Sequence, residues 1–152
     1  MSCYNTSIIK TKLGNFILIE QNNIIIKFYP LKKTSLIKKN SLLHKKIQNN
    51  IYSYFEKKTK KINFSCSPKG TIFQLKVWKE VKKIKYGNTK TYLEIAKKLK
   101  SSPRAVGNAC AKNVCLLVIP CHRVIMTSGQ LGGFILGQKV KGFLLKLEQD
   151  GK

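Results

Sequence analysis

One apolar segment, residues 114–119, most constrains the fold of this chain, because it must be buried and it leads directly to a reactive side chain. The run is short, β-branched and leucine-rich and is closed by Pro120, which predicts a buried strand. Cys121 follows the proline, beside His122 and Arg123. A neighbouring imidazole and guanidinium favour the thiolate form of a cysteine. The pattern indicates a reactive thiol, although a cysteine that merely packs in the core fits the same residues.

The cysteines and histidines indicate the redox compartment of the protein and argue against a metal site. The five cysteines, at positions 3, 66, 110, 115 and 121, are odd in number and have no disulfide-framework spacing, which indicates a reducing compartment. Only His44 and His122 can supply imidazole ligands and no Cys-x-x-Cys motif occurs, so we predict no metal site. No apolar run approaches about 18 residues, so we expect neither a membrane span nor a secretory leader.

The net charge of +24 indicates a polyanionic partner, DNA or RNA rather than a membrane surface. A lysine-rich surface that is simply solvated would give the same number. The distribution of arginine is more informative. Of the 30 basic residues only Arg104 and Arg123 are arginines, and both lie inside motifs. Because a planar guanidinium makes contacts that lysine cannot copy, we expect the geometry of these two side chains to matter.

The first part of the chain predicts a small α/β domain over residues 1–66. Strand-like runs cover residues 7–18, interrupted by a turn at Gly14, and residues 24–29. Apolar residues at helical spacing predict a helix over residues 41–54. Residues 65–69 are interpreted as a linker, with Pro68 and Gly70 as breaks.

Residues 67–152 predict a mostly helical second domain, which makes the whole chain α/β, or more strictly α+β. Thr71-x-x-Gln74 and Thr91-x-x-Glu94 are capping boxes, each followed by an apolar helical stripe. The first of these helices is expected to end at residues 86–88. Ser102 as N-cap and Pro103 as first helical residue begin another helix, so that residues 91–112 predict a helix-turn-helix. A last helix is expected to bury its apolar residues Val140, Phe143, Leu144 and Leu147.

Several of these segments together resemble one known family. Residues 120–124, Pro-Cys-His-Arg-Val, match the active-site signature of the O6-alkylguanine-DNA alkyltransferases. Further matches occur in the same order, at Gly70 to Gln74, Val77-Trp78, Tyr86-Gly87, Thr91-Tyr92, Arg104 to Gly107, Asn113 and Glu148. The resemblance covers residues 68–148 closely and the first 67 only loosely. It implies direct repair of O6-alkylguanine in duplex DNA by a single, irreversible transfer of the alkyl group to the protein, without a cofactor. O4-alkylthymine is a second candidate lesion.

The resemblance also implies a catalytic set. Cys121 would be the nucleophile, His122 would take its proton, Glu148 would orient His122, and Tyr92 would bond the purine ring and assist the leaving guanine. The substrate pocket would include Val124, Phe134, Ile135 and Leu136. Many relatives have a tyrosine, a serine and two glycines at residues 134–137, so this chain departs from the family there. We expect Phe134 to stack on the base, Ile135 to offer only its backbone N–H, and Leu136 to narrow the pocket.

Members of the family bind DNA through the minor groove with the second helix of the helix-turn-helix. The matching residues are Arg104, which would fill the space left by a flipped base, and the small or polar Ala105, Gly107, Asn108 and Ala111. This small surface suits close approach of the backbone and disfavours a major-groove reader, which needs long base-reading side chains. Asn113 matches a hinge residue but is followed by Val114 rather than the usual proline, so a looser hinge is expected.

Other functions fit parts of the pattern. A basic helix-turn-helix protein that binds DNA or senses lesions without chemistry would explain the charge and leave Cys121 structural. A cysteine hydrolase would explain the thiol and leave the charge unexplained. The favoured interpretation is a monomeric repair protein that acts on double-stranded DNA in the cytoplasm, associated with the nucleoid.

Overall fold

The computed structural model of the chain describes residues 4–31, 42–62 and 64–152. Cys3 and Ser41, the expected first residue of a helix, lie outside these ranges. The fold is α+β, as predicted. Its residues form two compact units, one comprising Met1–Lys69 and Val114–Val118, the other Gly70–Asn113 and Ile119–Lys152.

The first unit contains an antiparallel sheet of three strands in sequence order and one helix. The strands are β1 (Asn5–Thr11), β2 (Gly14–Gln21) and β3 (Ile24–Pro30), and the helix is α1 (Leu42–Phe55). The sheet packs its apolar side chains against the helix because the alternating residues of each strand share one face. Phe16 and Phe28 lie in this core with ring centroids 5.0 Å apart. The predicted helix is confirmed, and the turn lies at residues 12–13, directly before Gly14.

The strand predicted over residues 114–119 is wrong. The segment is largely buried as expected but forms isolated bridges instead of a strand. One bridge joins Cys115 to Phe28, and Leu117 then adopts a φ of 67°, which ends any extended ladder. Residues 65–69 end the first unit at Lys69, and Ile25 exchanges backbone hydrogen bonds with Ser65 and Ser67 at 2.9 and 2.8 Å.

The second unit is built mainly from four helices, α2 (Ile72–Lys82), α3 (Tyr92–Lys98), α4 (Pro103–Ala111) and α5 (Gln138–Asp150). Residues 121–123 form a 3-10 turn. The short strand β5 (Val124–Ile125) follows this turn directly and pairs in parallel with β4 (Lys90–Thr91), which precedes α3. Both capping boxes and the Ser102 cap are present as predicted. Helix α2 ends at Lys82, earlier than expected, with Lys83 as its C-cap.

The buried face of α5 includes the predicted Leu144 and Leu147 but differs from the prediction at other positions. Phe143 is 44% exposed, whereas Lys141 and Glu148 are fully buried. Lys141, Leu144, Leu145 and Glu148 have the spacing i, i+3, i+4 and i+7, so they form one helical stripe that faces the interior. The stripe begins and ends with a charged residue, which hydrophobic periodicity assigns to the surface.

Within the described ranges, no helix is long and apolar enough to cross a membrane.

Candidate active site

Cys121 begins the 3-10 turn and its side chain is buried. Asn113, which follows α4, fixes this turn with one amide group. Its Nδ2 donates to the carbonyl of Ile119 at 2.8 Å and to the Sγ of Cys121 at 3.3 Å. Because an amide donor stabilises a thiolate more than a thiol, this contact favours ionisation of Cys121. Asn113 thus links the end of α4 to the turn that holds Cys121.

His122 is oriented by Glu148. Its Nε2 lies 2.8 Å from Oε1 of Glu148, and both side chains are buried. Burial lowers the pKa of His122, although the Glu148 carboxylate acts in the opposite direction. A neutral imidazole carries one N–H, and a carboxylate can only accept, so that proton belongs on Nε2. The buried Nδ1 has no hydrogen-bond partner among the described residues and keeps its lone pair free to accept a proton.

Glu148 is held as a carboxylate by three groups. Arg123 donates to it from Nε at 2.9 Å and from Nη2 at 2.9 Å, and the backbone N–H of Gly87 donates to Oε2 at 2.9 Å. Burial by itself would raise the pKa of Glu148, but the hydrogen bonds from His122 and Arg123 outweigh it and hold that pKa far below its usual range. Gly87 has a φ of +70°, a conformation that glycine adopts without strain.

A cavity of about 480 Å³ opens above Cys121. Tyr92, Arg104 and Phe134 are among the side chains that line it, and the ring of Phe134 also meets His122 edge-on at 6.4 Å. The other lining residues are Pro103, Gly107, Cys110, Ala111, Met126, Thr127, Gly132 and Gly133. Gly132 must be small, because a Cβ there would lie 3.0 Å from the Tyr92 ring. The cavity is thus an apolar slot with a thiol at its base.

The surroundings of Cys121 favour the neutral thiol over the thiolate. A hydrogen bond shared with Cys110, and then burial, raise the pKa of Cys121 well above its usual value. Asn113 and Lys141 act in the opposite direction. A thiol with a raised pKa needs a base to react as a thiolate, and the buried Nδ1 of His122, which has no hydrogen-bond partner among the described residues, can accept a proton.

Helix α4 presents the expected small surface. Arg104, Asn108 and Ala111 are exposed and Gly107 is half-buried on the same side. The helix is anchored from the opposite side by Trp78, whose indole N–H donates to the carbonyl of Ala109 at 2.9 Å. The arrangement leaves a helix face that a nucleic-acid backbone can approach closely.

The structure brings together most of the predicted site residues but separates some. Val124 is buried directly after the turn, and Ala105 is half-buried on α4. Ile135 and Leu136 do not line the cavity, so Phe134 is the only residue of that departure from the family pattern that does.

Sequence reasoning missed two residues of the site. Cys110 shares a hydrogen bond with Cys121, and Lys141 donates to the Tyr92 hydroxyl at 3.1 Å. For Lys141, the sequence does contain a signal: it stands seven residues before Glu148, a spacing that puts both side chains on the same face of α5. Among the described residues, no group of three His, Cys, Asp or Glu side chains could hold a metal ion.

Comparison with known sequences gives consistent matches. A sequence model of the DNA-binding domain of 6-O-methylguanine DNA methyltransferase matches residues 72–150. The chain is 42% identical over 108 residues to the methylated-DNA--protein-cysteine methyltransferase of Methanosarcina mazei. The aligned residues cover 70% of this chain and 68% of the relative. It is 40% identical over 134 residues to the protein of the same name from Metallosphaera sedula, covering 85% of this chain and 81% of the relative.

Solved structures are similar over almost the whole chain. The crystal structure of Mycobacterium tuberculosis O6-methylguanine methyltransferase matches with a TM-score of 0.87 and 28% identity, covering 99% of this chain and 95% of that one. The M. tuberculosis protein in complex with DNA matches with a TM-score of 0.85 and 31% identity, covering 97% and 93%.

Proposed function

This chain belongs to the O6-methylguanine DNA methyltransferase family, and from that premise we propose that it repairs O6-alkylguanine in duplex DNA by moving the alkyl group to Sγ of Cys121. The observation that supports the proposal is the buried His122–Glu148 pair, which directly follows Cys121 in the 3-10 turn, with Cys121 lining an apolar cavity. A histidine oriented by a carboxylate can activate a nucleophile without a cofactor. We infer that the protein acts as a monomer in the cytoplasm, where the nucleoid DNA is.

The transfer balances within these residues. The Sγ of Cys121 forms a bond to the alkyl carbon while the bond from that carbon to guanine O6 breaks. The thiol proton passes to Nδ1 of His122, directly or through a water, and the Tyr92 hydroxyl stabilises the leaving guanine oxygen by donating to the base. Overall, the thiol proton replaces the alkyl group on guanine. The thioether product has no simple exit, so each molecule reacts once.

A base inside a duplex must leave the stack to reach Cys121. Unstacking costs a few kcal/mol, and a side chain that fills the gap offsets part of it. Arg104 is exposed, stands at the start of α4 and lines the cavity, so it is positioned to enter the duplex as the base leaves. The small residues Gly107 and Ala111 on the same helix face support minor-groove approach, because they keep the helix backbone close to the DNA.

Replacing Arg104 by alanine should slow repair of duplex DNA at least about tenfold, since each uncompensated ~1.4 kcal/mol is a factor of ten. The reaction with free O6-methylguanine base, which needs no flipping, should change less than about twofold. Lys112→Ala is the matched control, because it removes one exposed positive charge from the end of the same helix. Equal slowing by the two substitutions would mean that Arg104 contributes charge alone.

DNA affinity should depend steeply on salt, because lysine-phosphate contacts release counterions. For about six phosphate contacts, affinity falls about 10³-fold between roughly 50 and 200 mM salt. Fluorescence anisotropy with a labelled duplex measures this slope. A flat response would contradict the electrostatic part of the proposal, since the charge of +24 would then have no role in binding.

The proposed function is tested by titrating the protein into a duplex whose restriction site is blocked by one O6-methylguanine. We expect cleavage to be restored in proportion to the protein added, with a limit of one site per molecule. Restoration beyond that limit would indicate true turnover, and no restoration with intact DNA binding would indicate a lesion-binding protein.

A further inference from the structure

Two thiols lie next to each other at the base of the cavity. Cys110, in the last turn of α4, and Cys121, at the start of the 3-10 turn, both line the cavity and share a hydrogen bond. Both belong to the second unit. Cys110 is half-buried, whereas Cys121 is 3% exposed. The proposed alkyl transfer uses only the sulfur of Cys121, so the second thiol has no role in that reaction.

Asn113 holds the two cysteine segments together. Its backbone N–H donates to the carbonyl of Cys110 at 3.1 Å, and its side-chain Nδ2 donates to the Sγ of Cys121 at 3.3 Å. One residue therefore binds both the end of α4 and the 3-10 turn, which keeps the two sulfur atoms in contact. The S–S bond of a disulfide is about 2 Å long. Its formation here requires only that two sulfur atoms already in contact move closer.

The two thiols differ in acidity. The hydrogen bond that Cys110 shares with Cys121 lowers the pKa of Cys110, although burial acts in the opposite direction. The same hydrogen bond raises the pKa of Cys121. The first proton lost by the pair therefore comes from Cys110, which lines an open cavity that a small molecule can enter. Peroxides oxidise the thiolate form of a cysteine rather than the thiol, so Cys110 is the sulfur that they attack first.

We propose that Cys110 and Cys121 form a site of reversible oxidation, at which a hydroperoxide converts the two thiols into a disulfide. The site goes beyond the proposed function, and only its effect on repair rests on that function. The cysteine content indicates a reducing compartment, where disulfides are usually transient and redox-sensing. The disulfide occupies the sulfur that would accept the alkyl group, so the oxidised protein cannot repair DNA until it is reduced.

The oxidation balances in two steps. The Cys110 thiolate attacks one oxygen of the hydroperoxide, so that an S–O bond forms and the O–O bond breaks. The other oxygen leaves as an alcohol, or as water from hydrogen peroxide, with the proton that Cys110 lost on ionising. Cys121 then attacks the sulfur of the resulting sulfenic acid, and the departing hydroxide takes the Cys121 proton and leaves as water. Each sulfur loses one electron and the peroxide gains two. A dithiol reverses the change by thiol–disulfide exchange.

The decisive experiment is non-reducing peptide mapping of the whole chain after treatment with hydrogen peroxide in the absence of DNA. We expect the intact protein to lose two hydrogens and the map to contain one linked pair, Cys110 with Cys121. Fragmentation must locate the linked sulfur, because Cys115 and Cys121 lie on the same tryptic peptide. A link from Cys110 to another cysteine, or oxidation of Cys121 to a sulfinic acid without a link, would overturn the proposal.

Single-turnover methyl transfer gives the second readout. Transfer by the parent should fall at least about tenfold after oxidation and return to within about twofold of the untreated rate after dithiothreitol. Cys110→Ser removes the sulfur that is attacked first, so peroxide should inactivate it at least about tenfold more slowly, relative to its own untreated rate. Cys66→Ala, which removes a half-buried thiol of the first unit, is the matched control and should be inactivated as fast as the parent. Equal rates of inactivation for Cys110→Ser and the parent would contradict the proposal.

The linked pair in the parent decides the matter even where Cys110→Ser does not fold. Because the link is detected by mass and without DNA, it does not depend on methyl transfer. A parent that forms the disulfide but transfers no methyl group would support the oxidation site and contradict the proposed function. A parent that transfers the methyl group but forms no link would contradict the oxidation site alone.

Discussion

Cys121→Ala abolishes methyl transfer completely and leaves binding to damaged duplex DNA within about twofold of the parent. The reason is that Cys121 is the proposed alkyl acceptor, which lines the apolar cavity and accepts a hydrogen bond from the Asn113 amide. On the proposed function, DNA is bound by α4 and the basic surface, which the substitution leaves unchanged. Restoration of the blocked restriction site measures transfer, and anisotropy measures binding.

The matched control is Cys66→Ala, which removes a half-buried thiol from the first unit and should leave transfer unchanged. Residual transfer in Cys121→Ala, with methyl found on Cys110, would show that the neighbouring thiol shares the reaction. Loss of DNA binding together with transfer would mean that Cys121 supports the fold rather than the chemistry.

Glu148→Ala is expected to cause the largest loss of stability, about 3–5 kcal/mol of unfolding free energy. The substitution leaves the part-buried Arg123 guanidinium without its carboxylate and removes the acceptor for the Gly87 N–H. It also removes the carboxylate that accepts the N–H of His122 and thereby fixes its tautomer. Transfer should therefore slow at least about 100-fold. Urea unfolding and single-turnover transfer measure the two effects separately.

Asp150→Ala is the control for Glu148, because it removes an exposed acid from the same helix and should change stability by less than about 0.5 kcal/mol.

The ionised Glu148 should also make the stability of the protein depend on pH in the acidic range. Because the folded-state pKa of Glu148 is held below its usual value, its contribution is complete above about pH 5 and is lost as the pH falls toward the folded pKa. The parent should therefore lose more stability than Glu148→Gln between about pH 5 and pH 2. Parallel curves would contradict the ionised carboxylate.

Local signals in the sequence predicted the helix starts of the second unit well. Thr71, Thr91 and Ser102 each cap the helix that follows, because the cap bond is made within three residues and needs no knowledge of the rest of the fold. The resemblance of residues 120–124 to a known motif likewise directed attention to the turn that holds Cys121. These features depend on short stretches of chain.

The features that the sequence did not predict depend on distant partners. The apolar pattern of residues 114–119 indicated burial, but a buried irregular segment and a buried strand have the same composition, and only the positive φ of Leu117 separates them. Lys141 was assigned no role because a lysine on a helix is usually solvated. Its place is determined by Tyr92 and Gly133, which are 49 and 8 residues away.

Mass spectrometry tests directly whether Cys121 is the alkyl acceptor, on which the proposed function depends most. The protein is mixed with excess duplex containing O6-methylguanine, and the intact mass and the peptide masses are measured. We predict a gain of one CH2 unit, confined to the peptide that contains Cys121 and limited to one per molecule. No gain while the DNA remains bound, or a gain on any other peptide, would contradict the account.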